Sequence, residues 1–335
     1  MSVTIKDVAR RANVSPATVS RVFTGSANVS PENREAVLQA ARELNFKPNH
    51  LARSLKLKKT ETFGLLIPDI SNPYYAQLAR SAETAARQHG YSLLLADSNE
   101  DLEREESYLQ GLVDRGVDGV ILATVGGSTL HVEDAKEEIP IVTVGRRTEI
   151  TGVDSVLVDN DQVGYLAADH LIELGHRSFA VIGGKMDVSS TRLRLQGFKR
   201  RLEEGGFCLS ERWTQTGSFS MEAGMRMAES MFKGQEEMPT GLFCFNDQLA
   251  IGAIKTLRSL GFRVPEDISV VGCDNTYLAA VFSPELSTIN IPVDQMGVLA
   301  VELLLERLEK NRRRSKRVEL PATLVPRSST SRFSN

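Results

Sequence analysis

TIKDVARRANVSPATVSRVF, residues 4–23, reads as two short helices joined by a tight turn. Thr4 and, three residues on, Asp7 make a helix start, because a hydroxyl and a carboxylate can each satisfy a backbone N–H that has no intrahelical partner. Ile5, Val8, Ala9 and Ala12 then fall on one face, and Asn13-Val14 makes the break. Ser15 and Pro16 are a cap and first-turn pair opening a second helix, Pro16 to Phe23. Val19 and Val22 pack back on the first helix, which leaves Ala17, Thr18, Ser20 and Arg21 facing outward. A third helix starts at Ser30-Pro31 and runs to Leu44, with Ala36, Val37, Ala40, Ala41 and Leu44 as its buried stripe. A short second helix presenting small polar residues and an arginine suits a DNA major groove, although a generic three-helix bundle shares the same core pattern.

Charge placement favours the first of these. Residues 1–59 hold eleven Lys/Arg against four Asp/Glu, whereas the remainder holds 29 against 39. A basic head on an acidic body directs only the head towards a polyanion such as DNA.

Taken with NVSPENREAVLQAARELNFKPN (residues 28–49), the opening stretch resembles the headpiece of the lactose-repressor/galactose-repressor family almost without a gap. The resemblance implies that Pro16, Ala17 and Arg21 lie at base-edge positions, while Ser15, Thr18, Ser20 and Asn28 hold phosphates or support base contacts; Thr4 is counted with them. Pro16 and Ala17 offer no hydrogen-bonding side chain, so the lactose repressor's operator choice does not transfer. Residues 48–59, PNHLARSLKLKK, form a basic linker with Leu51 and Leu55 one helical turn apart. So short a helix is marginal alone and reads as a tether without DNA. The family implies that two such segments, one per subunit, order on DNA, enter the minor groove and wedge Leu55 between base pairs.

From Phe63 onward, apolar β-branched runs (FGLLIPDI, YSLLLADS, GVILAT, IPIVTVG, SFAVIGG, GLFCFND, ISVVGCD) alternate with amphipathic helical stretches. That is the pattern of buried parallel strands in doubly wound α/β domains. No GxGxxG, GxxxxGK[ST] or GxSxG pattern follows any of these strands, which argues against dinucleotide, nucleotide and α/β-hydrolase chemistry. The core resembles periplasmic sugar-binding proteins along nearly its whole length. The expected fold class is therefore α/β: a helix-turn-helix headpiece (1–47), a hinge (48–60), and a two-lobed core (61–335). The resemblance puts lobe 1 at about 61–160 and 291–320, and lobe 2 at about 161–290 and 321–328.

Ligands in such folds sit in the cleft at the strand C-terminal ends. Asn72, Tyr74 and Tyr75 follow the first strand, Arg146 follows IPIVTVG, Arg194 opens the helix after SFAVIGG, Asn246 and Asp247 end GLFCFND, and Asp274 ends ISVVGCD. Bidentate polar groups and aromatic faces are what a sugar's hydroxyls and C–H faces require. Matched with ribose-binding proteins and sugar-responsive repressors, Asn72, Tyr74, Tyr75, Arg146, Arg194, Phe219, Asn246 and Asp274 fall on ligand-contact positions. Each also has a plainer role: Asn72 and Asp274 as caps, Phe219 as core, Arg194 as part of a solvated helix face. Gly145 stands where ribose binders carry an aspartate and Ile291 where they carry a glutamine, so another pentose, a hexose, a sugar acid and a nucleoside all stay open.

No stretch approaches a membrane span and the start, MSVTIKDVARR, has no signal-peptide core, so a cytoplasmic protein is expected. Cys208, Cys244 and Cys273 lack CxxC spacing and read as buried free thiols. The five histidines are scattered, none beside a Ser or Cys motif, so neither catalysis nor a metal or other cofactor is expected. NRRRSKR (311–317) reads as a solvated loop, and the tail SSTSRFSN carries no leucine heptad, which leaves a homodimer. The expectation is an allosteric repressor of a sugar-utilisation operon, bound to a near-palindromic operator and released by a sugar-like inducer. The alternatives are control by a purine- or nucleoside-like corepressor, or by a phosphocarrier protein.

Overall fold

The computed structural model describes residues 3–23, 29–46, 59–124, 126, 128–146, 150–235, 237–310, 312 and 314–333. Two compact units divide between Thr60 and Glu61.

The first unit holds α1 (Ile5–Arg11), α2 (Pro16–Phe23) and α3 (Pro31–Glu43). The Asp7 carboxylate accepts from both the Thr4 amide (3.0 Å) and the Thr4 hydroxyl (2.6 Å), and these bonds hold it below its ordinary carboxylate range. Asn13 turns the chain with a φ of +54°, a region in which Asn is tolerated, and the Val14 amide returns to the Ala9 carbonyl. Val8, Ala9, Val19, Val22, Val37, Ala40 and Ala41 are buried together. Ile5 departs from the expected stripe: it is 39% exposed, and α1 enters the packed core only from Val8.

The second unit contains two parallel sheets. One is built from β1 (Thr62–Ile67), β2 (Ser92–Asp97), β3 (Gly119–Leu122), β4 (Ile141–Val144), β5 (Asp154–Val158) and β11 (Arg317–Leu320), in the order β11-β5-β4-β3-β1-β2. The other comprises β6 (Phe179–Gly183), β7 (Thr214–Thr216), β8 (Gly241–Cys244), β9 (Ser269–Asp274), β10 (Ser287–Asn290) and β12 (Thr323–Val325), in the order β12-β10-β9-β8-β6-β7, with only β12 antiparallel to its neighbour. Helices α4 (Pro73–Gln88), α5 (Leu102–Asp114), α6 (Leu130–Ala135) and α12 (Val293–Lys310) belong to the first lobe. Helices α7 (Asn160–Glu173), α8 (Ser189–Glu204), α9 (Met221–Phe232), α10 (Asp247–Ser259) and α11 (Tyr277–Val281) belong to the second. The chain therefore passes between lobes three times: between β5 and α7, between β10 and α12, and between β11 and β12.

Reciprocal glycines set the helix spacing in lobe 2. A methyl at Gly164 of α7 would overlap the Arg194 carbonyl of α8, and one at Gly197 of α8 would overlap the Asp161 carbonyl of α7. Gly224 of α9 and Gly252 of α10 stand in the same relation to Leu249 and Met221. The absent side chains bring these helices into backbone contact.

Three expectations are corrected. The β2 strand is not buried on both faces, because it closes a sheet edge and leaves Leu94 and Leu95 at 40% and 42% exposure. Cys208 is exposed, lying in the loop beyond α8, while Cys244 and Cys273 are buried. The 311–317 run is not a uniformly solvated loop: Arg312 turns inward, and with Arg307 it holds the fully buried Asp154 carboxylate (2.6 and 2.7 Å). The Lys316 amide donates to the same carboxylate at 2.5 Å.

Candidate functional site

On the headpiece, Ser15, just before α2, and Pro16, Ala17 and Arg21 on it are exposed, and Thr18 and Ser20 are half-buried. The Ser15 Oγ accepts from the Thr18 amide at 3.0 Å, so Ser15 caps α2 as its position before Pro16 requires. Thr4 is exposed and engaged with Asp7. Asn28, Leu51 and Leu55 lie outside the described residues.

All eight residues matched to ligand-contact positions line one cleft between the lobes. Lobe 1 contributes Asn72, Tyr74, Tyr75 and Arg146; lobe 2 contributes Arg194, Phe219, Asn246 and Asp274. The cap reading of Asn72 holds at the same time, since its Oδ1 accepts from the Tyr74 amide at 3.0 Å. The rings of Tyr74 and Tyr75 meet edge to face at 5.1 Å.

Both arginines are buried to 8% exposure. Arg146 donates to the Thr124 carbonyl and, at 3.4 Å, to the Tyr75 hydroxyl, and its guanidinium lies 5.9 Å from the Phe219 ring centre across the cleft. Arg194 donates to Asn160 Oδ1 at 2.9 Å and to the Phe245 carbonyl. It is thus turned inward, off the solvated helix face that its charged neighbours suggest. Asn246 caps α10 through the Leu249 amide (2.8 Å) and donates to the Phe219 carbonyl (3.0 Å), which fixes the aromatic wall.

Asp274 ends β9 with a φ of +110°, and burial pushes its carboxyl well above the usual carboxylate range against the pull of Arg194. Asp247 stands behind it. Its buried carboxylate accepts from the Thr276 amide (2.7 Å), the Thr276 hydroxyl (3.0 Å) and the Thr288 hydroxyl (2.6 Å), and burial still pushes it up to about 6. These bonds tie Thr276, two residues beyond Asp274, and Thr288 of β10 to α10.

The cleft also contains Gly145, noted above where ribose binders carry an aspartate, and Asp69, Glu100 and Ser190, which sequence reasoning did not single out. The criterion of polar residues just past a strand would have found Asp69 after β1, Glu100 after β2 and Ser190 at the start of α8. Among the described residues no group of three or more His, Cys, Asp or Glu is placed to hold a metal ion, and no helix is long and apolar enough to cross a membrane.

Residues 4–49 match the family model for bacterial regulatory proteins of the lacI family, and residues 168–330 match a periplasmic binding protein-like domain. The HTH-type transcriptional repressor PurR of Aliivibrio salmonicida is 35% identical over 97% of this chain and 98% of its own. Catabolite control protein A of Priestia megaterium is 35% identical over 98% of this chain and 100% of its own. Among solved structures, the Lac repressor dimer bound to operator and the anti-inducer ONPF superposes with a TM-score of 0.88 at 28% identity, covering 99% of this chain and 100% of that one. The transcriptional regulator CelR in complex with cellobiose does so with 0.75 at 30%, covering 98% and 99%. The headpiece with its outward α2 and the two-lobed core therefore have one account: the chain belongs to the lacI family and is a DNA-binding transcriptional repressor.

Proposed function

We propose that this repressor acts in the cytoplasm as a homodimer on a near-palindromic operator of a sugar-utilisation operon, and that a small sugar-like inducer in the cleft releases it. The supporting observation is the cleft's composition: carboxylate, amide, guanidinium and aromatic groups from both lobes face one volume. A polyhydroxylated ring offers donors, acceptors and C–H faces to match. A ligand touching both lobes favours their closure, and closure that is incompatible with the operator-bound hinge weakens DNA binding. A two-fold dimer presents two α2 helices to two half-sites. The Lac repressor neighbour is a dimer on operator, and other neighbours hold cellobiose and ribose.

On this reading Ser15, Pro16, Ala17, Thr18, Ser20, Arg21 and Thr4, with Asn28 and Leu55, meet the operator. The test is the affinity of the full chain for its own upstream DNA, at fixed salt, with pentoses, hexoses, sugar acids and nucleosides. One ligand should loosen binding, and Arg194→Ala or Asp274→Ala should abolish that change.

A second reading, in which a purine- or nucleoside-like corepressor or a phosphocarrier protein tightens DNA binding, draws support from the 35% identity to repressor PurR and to Catabolite control protein A. Tightening by a nucleoside, or no response to any small molecule, would decide for it.

A further inference from the structure

We infer that the effector of this cleft is a sugar-sized polyol carrying one anionic group, held through Arg146; this rests on the effector-site reading above. The guanidiniums packed into lobe 1 at Asp154 are neutralised by a carboxylate. Arg307 and Arg312, each with 15% of the side chain exposed, both bond the Asp154 carboxylate. Arg146 is more deeply buried, yet its acceptors are neutral: the Thr124 carbonyl and the Tyr75 hydroxyl. Among the described residues no carboxylate oxygen lies within the 4.0 Å of an ion pair with it. Arg194 also bonds neutral acceptors, Asn160 Oδ1 and the Phe245 carbonyl, but the Asp274 carboxylate on the same wall feels its charge.

The surroundings of Arg146 also keep an acid away. Gly145, the preceding residue, has a φ of +81°, and an added Cβ would stand 3.1 Å from the Tyr74 hydroxyl oxygen. A side chain there would be strained, and the glycine that occupies the position supplies no carboxylate. Of the two rim acids, Asp69 is engaged by the Ser71 amide and hydroxyl (2.8 and 2.6 Å), and Glu100 stands beyond ion-pair distance of Arg146.

A buried guanidinium without a counter-ion is costly, and a charge-assisted bond to an incoming anion recovers that cost. Phe219, facing Arg146 from lobe 2, covers the ligand's apolar side, while Asp274 and Asn72 take hydroxyls. Carboxylate and phosphate share this chemistry.

Titration calorimetry on the full chain decides, with D-glucose against D-gluconate and D-glucuronate, D-galactose against D-galacturonate, and D-ribose against D-ribose 5-phosphate. At least one acid or phosphate should bind about tenfold or more tighter than its neutral parent, and Arg146→Gln should shrink that preference to about threefold or less. A sugar acid as the tightest ligand identifies the anion as carboxylate; a sugar phosphate identifies it as phosphate. A neutral sugar binding as tightly as its acid, or a preference that survives Arg146→Gln, overturns the anionic class and leaves the cleft reading standing. No heat from any of these probes overturns both. Thermal melting of ligand-free Arg146→Gln checks the premise: an unpaired cation gives a Tm equal to or above that of the wild type, within about 3 °C if lower, and a larger fall means that the guanidinium is structural and overturns the inference.

Discussion

Arg194 Nε donates to Asn160 Oδ1 at 2.9 Å, and Asn160 is the first residue of α7, where the chain has just left lobe 1 for lobe 2. A cleft side chain is thereby fixed to an inter-lobe crossing. Asn160→Ala leaves a buried charged donor without its acceptor, which costs about 1–3 kcal/mol. Urea unfolding should show that loss, and calorimetry should show weakened effector binding; full stability in the variant would mean that the bond is replaced locally.

Gly164→Ala tests the helix spacing behind the same arginine. The added methyl would overlap the Arg194 carbonyl, so α8 must move or the helix pair must part. Overpacking of this kind costs about 1–3 kcal/mol and occasionally more. The expected result is a lower urea midpoint, together with an effector affinity reduced more than in Gly152→Ala, at an exposed turn.

Asp154 should be the carboxylate whose loss is felt most in lobe 1. Burial raises its pKa, but hydrogen bonds from Arg307, Arg312 and the Lys316 amide more than offset this, and it lies below the ordinary value. A depressed carboxylate stabilises the fold above its unfolded pKa, and the contribution disappears as pH falls through the folded value. Asp154→Leu, which strands two guanidiniums, should cost about 3–5 kcal/mol and remove part of the acid sensitivity seen in pH-dependent melts below pH 4.

His176 acts on a different pH window. Its ring is buried against Thr240, with Nδ1 2.9 Å from the Thr240 hydroxyl, and burial lowers its pKa from 6.5 to about 4. The neutral ring is the folded form, so stability is complete above about pH 6.5 and declines as pH falls towards 4, by roughly 3 kcal/mol at about 1.4 kcal/mol per pKa unit. His176→Gln should flatten the melting temperature between pH 4 and 6.5; an unchanged slope would assign the loss to other groups.

The headpiece and the strand-helix alternation were legible because period and caps act locally. Ser15-Pro16 and Ser30-Pro31 mark helix starts within the chain itself, and α2 and α3 begin where they indicate. The cleft was legible in part, because residues just past parallel strands meet whatever the strand order. What escaped depended on distant partners. Nothing near Arg312 announces Asp154, and nothing in LEREE or LHVED announces that Glu105 and His131 meet at 2.9 Å with almost no exposure. Ile5 and Leu94 obey the right periodicity and are still exposed, because period selects a face without saying whether anything covers it.

The three crossings have a consequence for the order in which the protein is made. Lobe 1 receives its last strand, β11, at Leu320, and lobe 2 receives β12 only at Val325, so neither sheet has all its strands until Leu320 has been made. The three headpiece helices are finished by Glu43. Translation that stops before Leu320 yields the three headpiece helices without either complete core sheet, and the DNA-binding part is always synthesised ahead of both lobes.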